Sequence, residues 1–195
     1  MGARLDYIFQ NWSKVHNDLL GNIFSGSGLV WLGGLLGGAL GVCLWAWRRG
    51  FLNVGLLDMC AVPLALGYGI GRIGCQLSGD GDYGTPSSLP WAMSYPKGTV
   101  PTTTEVHPTP VYETLAMGLL ALVLWQLRDR VRPGILFALY LVGAGIERLL
   151  IEFIRRNHEA ALGLTLPQLI SVGMALVGAV WLARRARGPA PAAAS

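Results

Sequence analysis

Long apolar runs alternate with short polar segments along most of this chain. Each run has about the 20 residues that a helix needs to cross the hydrocarbon core of a bilayer. Runs of this length differ from the strict alternation of a half-buried strand. The pattern therefore predicts an all-α polytopic membrane protein with about five transmembrane helices, at residues 27–47, 52–74, 109–127, 134–155 and 163–183.

The basic residues between the runs predict the orientation. Three clusters, at residues 48–49, 128–132 and 184–187, hold eight of the fifteen lysines and arginines. Five helices place all three clusters on one side of the membrane, which the positive-inside bias makes cytoplasmic. The long loop at residues 76–108 is then extracytoplasmic, and Lys97 is its basic residue. A loop of this length is often functional, so it either caps a site or is a plain solvated connection.

The same orientation predicts three regions. Residues 1–26 form an extracytoplasmic N-terminal segment, residues 27–185 form one transmembrane domain, and residues 186–195 form a disordered cytoplasmic tail rich in Ala and Pro. Since no apolar run precedes residue 27 to carry the first segment across the membrane, we expect the chain to be short of one helix at its start.

Composition narrows the functional classes. The chain is 52% hydrophobic and only 13% charged, whereas soluble domains have about 25% charged residues. The net charge of +4 comes from the loop clusters, so nucleic-acid binding is not predicted. The three cysteines form no Cys-x-x-Cys pair, which argues against a zinc site or a disulfide framework. We expect no metal and no cofactor.

Several charged side chains lie in or near the predicted outer halves of helices, where burial is costly. On the fourth helix three of them follow i, i+4, i+7 spacing and share one face. They form either structural ion pairs or one cavity lined from separate helices. Convergence on a cavity is the favoured interpretation, because a guanidinium binds the phosphate of an anionic lipid bidentately. The charged residues are Arg72, Glu113, Glu147, Arg148, Glu152 and Arg155.

Other polar and small residues leave alternatives open. His107 precedes the third helix and is either an acid/base group or a hydrogen-bonding surface residue. Asp58 is interpreted as a solvated residue at the cytoplasmic end of the second helix. The interleaved Gly-x-x-x-Gly registers of the first helix, at residues 33–41, provide either a packing face or a smooth wall beside a lipid chain.

Four segments carry a family resemblance that covers roughly residues 27–185. They contain the patterns Gly-Arg-x-Gly-Cys with a following glycine-rich stretch, His-Pro-x-x-x-Tyr-Glu, Glu-Arg-x-x-x-Glu-Phe-x-Arg, and Leu-Thr-x-x-Gln-x-x-Ser. Together they resemble the bacterial prolipoprotein diacylglyceryl transferase family, in which the third pattern begins with Phe and the fourth has a Gly before its Gln. The segments are Gly71–Gly84, His107–Glu113, Gly145–Arg155 and Leu164–Ser171.

The resemblance implies a multi-pass enzyme of the bacterial inner membrane whose site faces the outer leaflet. Such enzymes transfer the diacylglyceryl group of phosphatidylglycerol to the lipobox cysteine thiol of a prolipoprotein signal peptide and release glycerol phosphate. The implied catalytic residues are Arg72, Arg148, Glu152 and His107. The implied substrate-binding residues are Arg72, Cys75, Gly84, Glu113, Arg148 and Arg155. The two carboxylates among them would orient the arginines that hold the phosphate.

One departure from the family keeps a second hypothesis in play. The family often has Phe-His-Gly-Gly in its early glycine helix, and that histidine is a proposed base; here Leu32 takes its place. This favours a non-catalytic relative that binds phospholipid or lipoprotein. A small transporter is a third hypothesis, and the lack of an internal repeat argues against it.

Overall fold

The computed structural model describes residues 31–155 and 165–186. The chain divides into two compact units, Met1–Asn53 and Val54–Ser195. The expectations for residues 1–26, for the start of the first helix and for nearly all of the tail lie outside the described residues. The predicted boundaries at residues 26 and 185 remain predictions.

The first unit contains helix α1, Trp31–Arg48. Its end is a Schellman-type turn: the Phe51 amide donates to the Ala46 carbonyl, and Gly50 adopts a left-handed φ of 75°. The Phe51 ring also contacts Trp45 edge-on at 5.0 Å. A Cβ added at Gly38 or Gly41 would meet no atom within 4 Å. At these two positions the glycine face is therefore open, and the packing interpretation has no support there.

The second unit contains the remaining described helices: α2 (Val54–Ser78), α3 (Thr109–Leu127), α4 (Ile135–Glu152) and α5 (Leu166–Ala186). Every predicted run overlaps one helix, so a mostly helical membrane protein is confirmed in that coarser form. Within the described ranges, three helices are long and apolar enough to span a membrane: Val54–Ser78, Thr109–Leu127 and Leu166–Arg185. The count of five spans remains a prediction.

Successive helices of the second unit pack antiparallel, and glycines permit the closest approach. A Cβ at Gly145 would lie 2.7 Å from the Ser171 carbonyl, and one at Gly178 would lie 2.8 Å from the Ala138 carbonyl. Both contacts join α4 to α5, so the two backbones nearly touch there, as small residues allow in membrane helices. Their antiparallel course brings the end of α4 beside the start of α5.

The core of the second unit is small and its outward surface is apolar. Ala61, Ala65 and Met117 belong to a buried cluster between α2, α3 and α4. In contrast, Leu119 on α3 is 64% exposed and Met59 on α2 is 74% exposed. Large apolar side chains on the outside suit helices whose solvent is lipid rather than water.

Asp58 is not the solvated residue that the sequence predicted. Its carboxylate accepts hydrogen bonds from the backbone amides of Gly134 and Phe137, the latter at 2.8 Å. These amides begin α4, whose first N–H groups have no partner within the helix. Gly134 has φ 90°, which a residue without a side chain tolerates. Asp58 therefore caps α4 from a neighbouring helix.

The long loop contains β-structure that the all-α prediction missed. Strands β1 (Met93–Tyr95) and β2 (Thr102–Val106) form an antiparallel hairpin. A further segment runs along the other edge of β2, where Pro86 pairs with Val106. Tyr95 fixes the hairpin to the end of α2, because its hydroxyl donates to Gln76 at 2.9 Å and its ring stacks on Tyr83. The fold is therefore a helical unit with a β-hairpin over one end.

Candidate functional site

The predicted charged residues meet at one end of the second unit, where α2 and α4 end and α3 begins. We call the following six side chains the arginine cluster, since three guanidinium groups alternate there with three carboxylates. They are Arg72, Asp82, Glu113, Arg148, Glu152 and Arg155. The cluster joins residues that lie up to 83 positions apart, from Arg72 to Arg155.

Glu113 is the centre of the arginine cluster. Its side chain is fully buried; Oε2 lies 2.8 Å from Nε of Arg72, and Oε1 lies 2.8 Å from Nη1 of Arg148. Nη1 of Arg155 lies 3.7 Å from the same Oε1. The position follows from the local sequence, because Pro110 in the first turn of α3 needs no N–H partner and allows a helix start directly after the loop. One carboxylate thereby fixes guanidinium groups from two other helices.

Arg72 is held on several sides. Its Nη2 donates to the Tyr68 hydroxyl at 3.0 Å, and its guanidinium lies 4.9 Å from the centre of the Tyr68 ring. The Tyr68 hydroxyl in turn donates to Oε1 of Glu113 at 3.2 Å. Tyr68 and Arg72 are one helical turn apart on α2, at the i, i+4 spacing that puts side chains in contact. This spacing is the signal that would have revealed Tyr68 from the sequence.

Glu152 connects the cluster to the start of α5. Nη2 of Arg148 lies 3.3 Å from Oε2 of Glu152, and the Thr165 hydroxyl donates to Oε1 at 2.7 Å. Thr165 also caps α5: its hydroxyl accepts from the Gln168 amide, while the Gln168 side chain accepts from the Thr165 amide. This reciprocal pair is a capping box. The Leu-Thr-x-x-Gln segment therefore fixes both a helix start and a cluster carboxylate.

Asp82 reaches the cluster from the glycine-rich loop. Its carboxylate pairs with both Arg72 and Arg155, and its backbone carbonyl accepts from the Thr109 hydroxyl. The loop can turn inward because Gly79 and Gly81 have φ values of 56° and 94°. At 35% side-chain exposure, Asp82 is the most exposed of the three carboxylates. Asp82 is a member of the cluster that the sequence analysis did not identify.

Cys75 lies at the edge of the cluster. Its Sγ is 3.7 Å from Nη1 of Arg72. The same sulfur and a carboxylate oxygen from each of Asp80 and Asp82 lie within 4.8 Å of one another. A thiol and two carboxylates are potential metal ligands, but the guanidinium of Arg72 already contacts the thiol and the Asp82 carboxylate. The arrangement therefore favours an ion pair over a cation site.

Gly84 contributes through its backbone. Its amide donates to the His107 carbonyl at 2.8 Å, and it forms a β-bridge with Arg155. A Cβ at this position would lie 2.5 Å from the Ile154 carbonyl and 3.0 Å from Cβ of His107. The absence of a side chain lets the loop pass between these two segments, and this contact sets the backbone position of Arg155.

His107 lies beside Gly84, but its ring contacts Tyr112. Nδ1 is 3.4 Å from the Tyr112 hydroxyl, which also accepts from the Trp91 indole at 2.8 Å. In the described part of the chain the ring has no contact with an arginine of the cluster. The nearby hairpin residue Tyr95 is half-buried, and burial raises the pKa of its hydroxyl.

Five of the eight predicted site residues thus share one charged network, namely Arg72, Glu113, Arg148, Glu152 and Arg155. Cys75 lies at its edge, Gly84 shapes the backbone around it, and His107 belongs to an adjoining aromatic group. Their roles in binding or chemistry remain predictions.

Comparison with known proteins confirms the family that the four sequence segments resemble. The family model for prolipoprotein diacylglyceryl transferase matches residues 1–184. The chain belongs to this family. It is 31% identical to the phosphatidylglycerol–prolipoprotein diacylglyceryl transferase of Clostridium tetani, over 91% of this chain and 72% of that protein. It is 33% identical to the protein of the same name from Gloeobacter violaceus, over 97% of this chain and 75% of the relative.

Membership in the transferase family gives the arginine cluster its context. A third relative with the same name, from Brucella ovis, is 31% identical over 95% of this chain and 70% of that protein. The matched range includes all six residues of the cluster. Because the match covers nearly the whole chain, it includes the cluster without singling it out.

Proposed function

We propose that this protein is a membrane enzyme that transfers the diacylglyceryl group of phosphatidylglycerol to the lipobox cysteine thiol of a prolipoprotein. Two kinds of observation support the proposal. The relatives carry the name of that activity, and the arginine cluster brings three guanidinium groups, balanced by three carboxylates, to one end of the helices. The single observation on which it rests most is that Arg72 and Arg148 both bind Glu113 at 2.8 Å.

The shared carboxylate leaves parts of both guanidinium groups for a phosphate. Nε of Arg72 faces Glu113, and the side chains of Arg72 and Arg148 are 14% and 22% exposed. Arg72 also contacts Asp82 and Cys75 through Nη1 and Tyr68 through Nη2, and Arg148 contacts Glu152 through Nη2. A guanidinium has five N–H donors in a rigid fork, so these contacts use four donors of Arg72 and two of Arg148 and leave the others for a phosphate. Two such groups fixed by one buried residue form a pre-arranged phosphate site.

In the proposed reaction the thiol sulfur bonds to the phosphate-bearing carbon of the diacylated glycerol, and the thiol loses its proton. The bond from that carbon to the phosphate oxygen breaks, its electron pair stays on oxygen, and glycerol phosphate leaves with one more negative charge. Cations fixed beforehand stabilise such developing charge without reorganising. Arg72 and Arg148 would take this role, and Glu113 and Glu152 would hold them. Arg155, which pairs with Asp82, would add a third positive charge.

The position of the cluster supports a lipid substrate. It lies at one end of the apolar helices, and the basic residues at 128–132 and 184–185 lie at the opposite end of the same unit. By the positive-inside bias this opposite end is cytoplasmic. The site would then face the outer leaflet of the bacterial inner membrane, and the β-hairpin would lie over it on the extracytoplasmic side.

Substitution of the arginines tests the proposal. Arg72→Ala or Arg148→Ala should abolish transfer to a lipobox peptide in vesicles that contain phosphatidylglycerol, while membrane insertion is retained. Arg128→Ala is the matched control, because that side chain pairs with exposed Asp129 and stacks on Trp125 away from the cluster. Full activity in either cluster variant would contradict the phosphate role.

Leu32 favours the second hypothesis, a non-catalytic relative that binds phospholipid or lipoprotein. The two hypotheses differ in turnover and agree in binding. A wild-type protein that retains phosphatidylglycerol but never modifies the peptide would establish the second. If Leu32→His alone converted such an inert protein into an active one, the missing histidine would be decisive. We expect activity in the wild type, with little gain from this change.

A further inference from the structure

Glu147 is a half-buried acidic residue to which the reaction above assigns no role. It precedes Arg148 on α4, and its Oε1 is buried without a hydrogen-bond partner in the described part of the chain. Buried polar atoms are almost always hydrogen-bonded, and an exception in a native structure calls for an explanation such as a catalytic role.

Glu147 differs in its contacts from Glu113 and Glu152, which belong to the ion-pair network. Oε2 of Glu113 and Oε2 of Glu152 also lack a hydrogen bond of good geometry. Each nevertheless lies close to a guanidinium nitrogen, at 2.8 Å and 3.3 Å. The ion pairs of the described residues include none to Glu147. Its carboxylate is therefore not neutralised by an ion pair with an arginine of the described residues.

Glu147 lies within electrostatic reach of the cluster. Four charged groups influence its carboxylate, namely Glu113 on α3, Arg148 on α4 itself, Arg72 on α2 and Arg155 after α4. A phosphate held by Arg148 would bring the reacting carbon of the lipid, and the thiol that attacks it, to the part of α4 that carries this residue. The family pattern that this segment resembles has Phe at the position of Glu147.

We propose that Glu147 is the general base that accepts the proton of the attacking thiol. This inference rests on the proposed transferase function. The thiol proton moves to a carboxylate oxygen of Glu147 as the S–C bond forms and the C–O bond to phosphate breaks. The protonated carboxyl then releases its proton to the departing glycerol phosphate or to water. The thiolate is the nucleophile, and a positioned base supplies about 10²–10⁴-fold in rate.

The experiment compares Glu147→Gln with wild type in the vesicle assay. The amide has the shape of the carboxyl group and cannot accept the proton. We expect kcat to fall by at least about 100-fold, while retention of phosphatidylglycerol by the purified protein is unchanged. The rate that remains should rise with pH over the whole range, because hydroxide then removes the thiol proton. Glu147→Asp should recover part of the rate, and Glu105→Gln, an exposed site, should match wild type.

Each outcome has a distinct meaning. If wild type transfers lipid and Glu147→Gln keeps its rate and pH profile, the base assignment is wrong and the transferase function stands. Loss of phosphatidylglycerol retention in Glu147→Gln would likewise overturn it, since the residue would then act in binding. If wild type itself fails to transfer lipid to the peptide, the transferase function fails and the base assignment fails with it.

Discussion

The buried carboxylate of Glu113 lies 2.8 Å from Nη1 of Arg148, although 35 positions separate the two residues in the chain. The same carboxylate contacts Arg72 from the opposite neighbour helix. Glu113 thereby couples the placement of two guanidinium groups, and any change to it acts on both. This coupling makes Glu113 the residue of the cluster with the broadest expected effect.

Glu113→Gln should reduce transfer by at least about 100-fold and also destabilise the protein. Removal of one partner of a buried ion pair costs about 3–5 kcal/mol, because the remaining charge stays buried without compensation. The measurements are the transfer rate in vesicles and the unfolding temperature in detergent. Glu105→Gln, on an exposed strand position, is the control for loss of one carboxylate. A Glu113→Gln protein with wild-type activity would show that the arginines do not depend on this contact.

Gly84→Ala should disturb the cluster without adding or removing a charge. The new Cβ would lie 2.5 Å from the Ile154 carbonyl, so the loop or the end of α4 must move. Because Arg155 follows Ile154 directly, we expect its ion pair with Asp82 to be lost and transfer to fall at least tenfold. Gly118→Ala is a matched control, since its Cβ would meet nothing within 4 Å. Equal activity of the two variants would mean that the backbone contact has no functional effect.

The sequence predicted the helices well because their ends are chemically marked. Basic clusters, Pro133-Gly134 and the His107-Pro108 segment bound the apolar runs, and the observed ends lie within a few residues of the expected ones. The exception is α2, which continues to Ser78. Arg72 and Gln76 looked like the end of a span, but partners from the loop satisfy both side chains and the helix continues through them.

The loop could not be interpreted in the same way. Residues 76–108 were predicted only as a loop, although the run from Thr102 to Val106 has the β-branched residues that favour a strand. The local pair of Arg148 and Glu152 could be predicted from i, i+4 spacing. The contacts of Asp82 could not, since they depend on how the loop folds back over the helix ends. Long-range pairs of this kind have no sequence period that reveals them.

Asp58→Ala should lower stability and leave the chemistry intact. The carboxylate caps α4 at Gly134 and Phe137, at the end of the unit opposite the cluster. Loss of a capping side chain costs about 0.5–2 kcal/mol, which should appear as a lower unfolding temperature in detergent. Activity per folded molecule should be unchanged. Asp129→Ala removes a carboxylate that is 82% exposed and should have no effect on stability. If the two variants were equally stable, the cap would be energetically irrelevant.

Asp82→Asn decides whether the loop carboxylate positions the arginines or obstructs the phosphate. Asp82 pairs with Arg72 and Arg155, while Arg72 keeps Glu113 and Tyr68 as further partners. If Asp82 positions the guanidinium of Arg72, its loss should reduce kcat about tenfold, equivalent to about 1.4 kcal/mol of transition-state stabilisation, with a small change in KM. If it obstructs the phosphate, KM for phosphatidylglycerol should fall instead. We expect the first result, because Asp82 is held by Thr109 through its backbone and so remains at the cluster when lipid binds. Asp80→Asn, on the same loop and exposed, should behave as wild type in both parameters.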